Sequence, residues 1–363
     1  MRKIWIPLLA VVVLAAAWLG ASWYSGKRTE ALIDGGIAHL NEIWSKSDPR
    51  LGLRLKPVSY QRGLLTTHAR YALTSSLLPD EQMPKIDVTI WHGPLPHGLT
   101  PKRLALHAEL ALTGMAKQVM DSLMHGKPPL AMDAACGYDG LCTGTGQIPA
   151  VDLDKIKLAF GGVQMRYDVN WRSETDYQAH LDMQVLPLSI GGQDFGSGHW
   201  VAASSAQDAS QTLSWKTSQG ESKLTLALAL TRPVSSAETV TLKPEDRLSF
   251  IASVLKTVSL NAALSKPMLI DLGASAAHVV QGADEIAARQ QVEMQLNDAL
   301  TGNPMASQFI RVDGDTISSD WQYAGGKLTV NGQEHPEMLE RIQKLFQLAL
   351  QAQHDAAGLG DNP

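Results

Sequence analysis

The sequence has no block of like charge and almost no cysteine. Its 31 lysines and arginines are scattered against 36 acids, for a net charge of -5. Nucleic-acid binders neutralise phosphates with clustered cations, so no nucleic-acid partner is expected. Catalytic signatures are missing too: there is no Gly-x-Ser-x-Gly elbow, no His-Glu-x-x-His helix, no Walker loop and no proper dinucleotide fingerprint. The glycines near Cys142 (Gly140, Gly144, Gly146) and near Phe195 (Gly191, Gly192, Gly196, Gly198) do not open a helix as a phosphate cradle would, and they read as ordinary turns. His92, His97 and His107 lie close in sequence without a carboxylate spaced to complete a metal set, and they read as surface or turn histidines. The expectation is therefore a chain with no catalytic residue, no cofactor and no metal.

Two cysteines are present, Cys136 and Cys142, in Cys-Gly-Tyr-Asp-Gly-Leu-Cys. So close a pair across a glycine-rich turn suits a local disulfide in an oxidising compartment; two unpaired thiols is the alternative. Phenylalanine is scarce, at five, against nine tryptophans. Trp91, Trp171, Trp200, Trp215 and Trp321 fall in or beside predicted strands, where packing is a commoner role than a stacking platform.

What the sequence does have is an uncharged run from Ile4 to Tyr24, behind Arg2 and Lys3. About 20 helical residues cross a ~30 Å hydrocarbon layer, so residues 1–26 are expected to form an uncleaved membrane anchor. A cleaved signal peptide is the competing reading, but its best site, Leu19-Gly20-Ala21, has Leu19 where a small residue belongs. Lys27 and Arg28 nearly balance the positive charges ahead of the run. Export of the C-terminal side therefore rests on the cysteine pair and on the strand-rich character of the chain beyond the anchor. Residues 27–50 read as a juxtamembrane amphipathic helix, its stripe Ile33, Ile37, Leu40 and Trp44 packing on its own domain or lying at a membrane surface.

From residue 51 the period changes to two, through Leu65 to Leu73, Ile86 to Ile90, Leu104 to Leu112, Val163 to Trp171, Tyr177 to Val185 and Leu224 to Leu230. That alternation predicts antiparallel sheet over residues 51–235, with Gly161-Gly162 as a hairpin turn between strands. Residues 236–304 read as a helical segment: one helix opens at Pro244 and carries Leu248, Ile251, Leu255 and Val258, and a second runs from about Gly282 to Leu300. Residues 305–363 read as a hairpin, Thr316 to Tyr323 and Lys327 to Val330 joined by a turn at Gly325-Gly326, with Asn331-Gly332 ending the second strand, followed by a helix from Pro336 with Leu339 and Ile342 on one face. The expected class is α+β: one transmembrane helix, a long mainly antiparallel sheet and helices in the C-terminal third.

Four motifs occur in order: Trp23-Tyr24-Ser25-Gly26-Lys27, Tyr60-Gln61-Arg62-Gly63-Leu64, His92-Gly93-Pro94-Leu95-Pro96, and Gly326-Lys327-Leu328-Thr329-Val330-Asn331-Gly332. Together they resemble the YdgA-like (DUF945) family of bacterial envelope proteins over nearly the whole chain. That family usually has an aromatic residue two positions beyond the Tyr-x-x-Gly glycine, where this chain has Leu65. The resemblance implies a single-span inner-membrane protein with a periplasmic C-terminal domain, and it supplies no catalytic residues. By their chemistry Tyr60, Gly63, His92, Gly93, Pro94, Asn331 and Gly332 read as structural, since glycine and proline act on backbone shape. The function expected is non-catalytic binding or assembly in the cell envelope, with lipid, an envelope protein or a second copy as partner; alternative: an exported hydrolase whose site follows no motif.

Overall fold

Alternating apolar and polar residues build most of the molecule. The computed structural model describes residues 51–76, 83–92, 102–173, 175–235, 244–302 and 306–342, most of a helix within 27–45, and positions 238, 344 and 348. The fold is α+β: antiparallel strands dominate, and the helices lie mainly in the C-terminal third. No helix among the described residues is long and apolar enough to cross a membrane, and the expected anchor lies outside them. The chain divides into two compact units, Met1–Leu153 with Gly161–Asn170, and Asp154–Phe160 with Trp171–Pro363.

In the first unit β1 (Arg54–Arg62), β2 (Thr66–Thr74), β3 (Lys85–His92), β4 (Leu104–Ala111), β5 (Ala131–Cys136) and β6 (Leu141–Ile148) pair antiparallel, each with the next. The short β7 (Val151–Leu153) comes after them. Helical positions 33–38, 40–42 and 44–45 form α1, whose Ile33, Ile37, Leu40 and Trp44 pack on a core of Leu55, Ala69 and Tyr71. Asn41 ties this helix to the edge strand: its amide donates to the Leu55 carbonyl at 3.0 Å, and its Oδ1 accepts from the Leu55 N–H at 2.7 Å. A helix absent from the sequence expectation, α2 (Gly114–Leu123), joins β4 to β5.

Gly161-Gly162 is not the hairpin turn expected. It leads from β8 (Leu158–Phe160), which pairs with the β10 strand (Asp176–Ile190), into β9 (Val163–Ser173), which pairs with β6 and β10, and β8 and β9 are not paired with each other among the described residues.

In the second unit β10 pairs in sequence with β11 (Gln193–Ser205), β12 (Asp208–Thr217) and β13 (Gly220–Leu230). The next element corrects the sequence expectation. The helix from Pro244 ends at Val254 (α3), and Leu255–Ser265 is a strand, β14, so Leu255 and Val258 are not helical. Val258, Leu260 and Ala262 also alternate, and pairing on both sides, with β13 and with β16 (Thr316–Ala324), gives the backbone the hydrogen bonds that a helix would have supplied internally. Residues 236–304 are thus interrupted by sheet.

The second helix expected, from about Gly282 to Leu300, is present as Glu285–Thr301, and another helix that the sequence did not announce precedes it. The earlier one, α4 (Lys266–Gln281), is capped by Ser265, whose Oγ accepts from the Met268 N–H at 3.3 Å, and it stops at the left-handed Gly282. The expected one, α5 (Glu285–Thr301), is capped by Asp284 and bridged to α4 by Arg289 and Asp271 at 2.9 Å. After α6 (Ala306–Phe309), β15 (Arg311–Asp313) and β17 (Lys327–Val330) pair along β16, and β18 (Gln333–Glu334) pairs with β17. Residues 336–342 form the described turns of the last helix, α7.

Candidate functional site

Cross-strand register decides which side chains share a face. In the second unit Leu213 stands opposite Leu224, Leu226 opposite Leu260, Leu260 opposite Trp321, and Tyr323 opposite Leu328. These pairs make an apolar face across five neighbouring strands. Over β14, β16 and β17, Ile251 and Ala252 of α3 and Leu339 and Ile342 of α7 border a groove of about 710 Å³. Its described lining carries no charged side chain; Ser249, Gln322, the Tyr323 hydroxyl and the Trp321 indole N–H are its polar groups. The face continues past the groove: Leu213, Leu224 and Leu226 are 47%, 40% and 43% exposed. A concave, uncharged surface of this kind binds apolar ligands by removing their surface from water.

The outward rungs of the first unit are chemically opposite. Across the sheet His68 faces Thr89, Thr89 faces His107 and His107 faces Asp133. His107 Nδ1 lies 2.8 Å from an Asp133 oxygen and its Nε2 lies 2.9 Å from a Glu109 oxygen. Only the imidazolium donates from both nitrogens, so bonding to Glu109, then to Asp133, raises the His107 pKa. On the next rung the Arg70 guanidinium binds both oxygens of Asp87. These groups satisfy one another, no Ser or Cys nucleophile hydrogen-bonds to His107 in the described structure, and no group of three metal-ligating side chains is found among the described residues. The cluster organises the sheet surface.

Of the motif residues in the first unit, His92 is buried and Tyr60 half-buried, while Gly63 is exposed. Thr67 and His92 are 1% and 2% exposed, and Thr67 Oγ1 lies 3.2 Å from His92 Nε2. The Tyr60 hydroxyl faces Thr67 too loosely for a hydrogen bond, and the buried Tyr71 hydroxyl has no hydrogen-bond partner among the described residues. Burial, then the charge of Asp34, pushes the Tyr71 phenol up to about 12. Gly63 turns β1 into β2 with its N–H donating to the Thr66 carbonyl at 2.7 Å, and an added Cβ would stand 2.9 Å from that same oxygen. Gly93 and Pro94 lie outside the described residues.

Cys136 and Cys142 face each other on β5 and β6 and are joined as a disulfide, their Cα atoms 4.0 Å apart. The loop they close presents Tyr138 to solvent. Gly144 and Gly146 are not turn residues: they lie within β6, and a Cβ on Gly144 would stand 2.3 Å from the Tyr167 ring that lies across it. In the second unit Gly196 and Gly198 are likewise strand residues, while Gly191-Gly192 makes the turn between β10 and β11.

Asn331 and Gly332 turn β17 into β18 at positive φ, 52° and 83°. The Asn331 Oδ1 accepts from the Asp320 N–H at 3.0 Å, the Asn331 N–H donates to the Asp320 carbonyl at 2.7 Å, and Arg311 donates to the Asn331 carbonyl. One residue thereby locks β16 to the turn.

The description "Bacterial protein of unknown function (DUF945)" matches residues 1–198 and 209–338. The chain belongs to the DUF945 family. Among its relatives, Protein YdgA of Escherichia coli is 20% identical over 207 residues, covering 53% of this chain and 39% of YdgA. An uncharacterized protein of Haemophilus influenzae is 22% identical over 195 residues, covering 50% of this chain and 53% of that protein. The uncharacterized protein YihF of Escherichia coli is 22% identical over 190 residues, covering 49% and 40%. The chain thus spans about half or less of the length of these DUF945 relatives.

Within this DUF945 chain the fourth motif contributes Leu328 to the groove lining, and Tyr60 and His92 belong to the first unit. Tyr60, Thr67 and His92 set a buried strand register, while the groove is made by leucines and two helices that sequence reasoning did not bring together. The signal that could have found it was the Leu224 to Leu230 alternation, which already required a partner for one face.

Proposed function

We propose that this chain is a non-catalytic binding protein of the bacterial envelope, tethered to the inner membrane by its N-terminal run, with the C-terminal domain in the periplasm and lipid as its ligand. The observation that carries this reading is the uncharged groove of about 710 Å³ that opens onto exposed leucines. Support for an exported domain comes from the bonded cysteines, since disulfides persist in oxidising compartments. Support for the tether comes from the charge-free stretch at residues 4–24, whose length suits one bilayer crossing. Support for a non-catalytic role comes from the mutual satisfaction of the His107 cluster.

Native mass spectrometry of the full chain released from its own membranes tests this. The expected spectrum shows lipid adducts that survive detergent release and that Leu226→Asp removes, because a carboxylate in an uncharged groove is desolvated without a partner. A bare protein mass for the unsubstituted chain, or adducts indifferent to the substitution, refutes the reading.

A further inference from the structure

We propose that the groove holds a single saturated acyl chain lying across the strands, its polar end over β12 and its methyl end beside Leu328. This rests on the lipid-binding reading above and adds the direction and length of the ligand.

Direction follows from exposure and register. The face is open at Leu213, Leu224 and Leu226 and closed at the far end, where Leu328 is 7% exposed and Val330, opposite Trp321, is fully buried. Gln211, opposite Leu226 on β12, is an exposed polar side chain at the open end. A ligand with one polar end satisfies that end there and buries the remainder between Leu260, Trp321 and the two helices.

Length follows from strand spacing. The face crosses β12, β13, β14, β16 and β17, each hydrogen-bonded to the next in that order. Four intervals of ~4.8 Å make a track of about 19 Å. An extended hydrocarbon advances ~1.25 Å per carbon, given ~1.5 Å bonds and tetrahedral angles, so the track suits about 15 carbons.

A peptide fits less well. Each of its amides needs a hydrogen-bond partner, and the described lining offers few: Ser249, Gln322 and the Tyr323 hydroxyl, with the Trp321 N–H already given to Ser319. Strand addition is also closed to it along β13 and β14, because each is already paired on both sides.

The test uses the full chain in lipid nanodiscs and saturated fatty acids of about 8 to about 18 carbons, each carrying a photoreactive diazirine at its terminal carbon. Labelled residues are mapped by peptide sequencing, so the readout is position and is indifferent to how well each acid partitions into lipid. The expected label sits near Leu260 for the shortest acids and moves through Trp321 to Leu328, advancing one strand for about every four carbons. Label that stays at the same groove residues at every length, or that falls equally on Lys223 of the opposite face, overturns the track while leaving an apolar site in place. Absence of label from the groove at every length overturns both the track and the lipid-binding reading.

Discussion

His107 gives the second rung of the first unit a charge that depends on pH, and His107→Gln isolates its contribution. Folding places each ring nitrogen within 2.9 Å of a carboxylate, one on its own strand and one on β5. The folded pKa lies above the ordinary 6.5, through Glu109 first and Asp133 second, with partial burial opposing them. A group with a raised folded pKa contributes stability that is fully present below its unfolded value and is lost as pH rises through the folded one. The ring side chain is 31% exposed and its partners are more so, so solvent screening keeps each pair near the surface range. At ~0.2–1 kcal/mol per exposed pair, the two together contribute about 1 kcal/mol. Thermal unfolding should therefore place wild type above His107→Gln by about 2–4 °C at a pH near 5. The gap should close above the folded pKa, where a neutral ring donates to one carboxylate and turns a lone pair to the other. Hydrogen exchange of the β4 and β5 amides localises the effect, since these are the strands the ring ties together. A gap of the same size on both sides of the transition refutes the reasoning, as does one that grows with pH.

Other substitutions test other joints. Asn331→Ala removes the acceptor for the Asp320 N–H and puts alanine at φ 52°, and equilibrium urea unfolding should show a loss of about 2 kcal/mol. Gly144→Ala drives a methyl into the Tyr167 ring and toward the Asp133 carbonyl, 2.5 Å away, and should destabilise by about 1–3 kcal/mol in the same assay. Thiol alkylation of the protein taken from its native compartment without reductant should leave Cys136 and Cys142 unlabelled. Cys136→Ser should lower stability by about 2 kcal/mol, a small effect because the closed loop is short. A reporter that is active only outside the cytoplasm, fused after about residue 235, should be active; activity of a cytoplasm-dependent reporter would reverse the topology.

Local pattern carried much of the fold. Leu104 to Leu112 read as a strand because the side chains of one face recur at period two, and the structure runs that strand from Leu104 to Ala111. The late hairpin was legible because Gly325-Gly326 makes its turn and Asn331-Gly332 ends its second strand. Where two periods coincide, the sequence misleads. Leu248, Ile251, Leu255 and Val258 fit a helical stripe, yet Val258 also begins the alternation completed by Leu260 and Ala262. The decision between them is made by β13 and β16, which lie about 30 and 60 residues away in the chain. The β5–β6 hairpin escaped notice for another reason: Thr143-Gly144-Thr145-Gly146 has no apolar face of its own, and Tyr167 and Met165 of β9 cover its glycines. Of the candidate site, the leucine face and both bordering helices were readable and the placement of those helices over it was not, because that depends on the β14 register.

The two units put different chemistry on similar antiparallel pairing, and the lipid-binding proposal rests on that difference rather than on any motif. Where water is the intended neighbour, rungs such as Arg70–Asp87 and His107–Asp133 supply charge, as the first unit does. The second unit instead keeps Leu213, Leu224 and Leu226 at 40% exposure or more, although threonine at these positions has equal strand propensity and a polar group for water. Leaving them 40–47% exposed forgoes a little under half of the full burial of a leucine, roughly 0.6–1.4 kcal/mol each, which a bound apolar chain would restore. Joint replacement Leu213→Thr with Leu224→Thr should accordingly leave circular dichroism and the unfolding midpoint nearly unchanged while abolishing lipid adducts. If the pair of threonines unfolds the second unit instead, those leucines serve the fold and the ligand must be sought elsewhere.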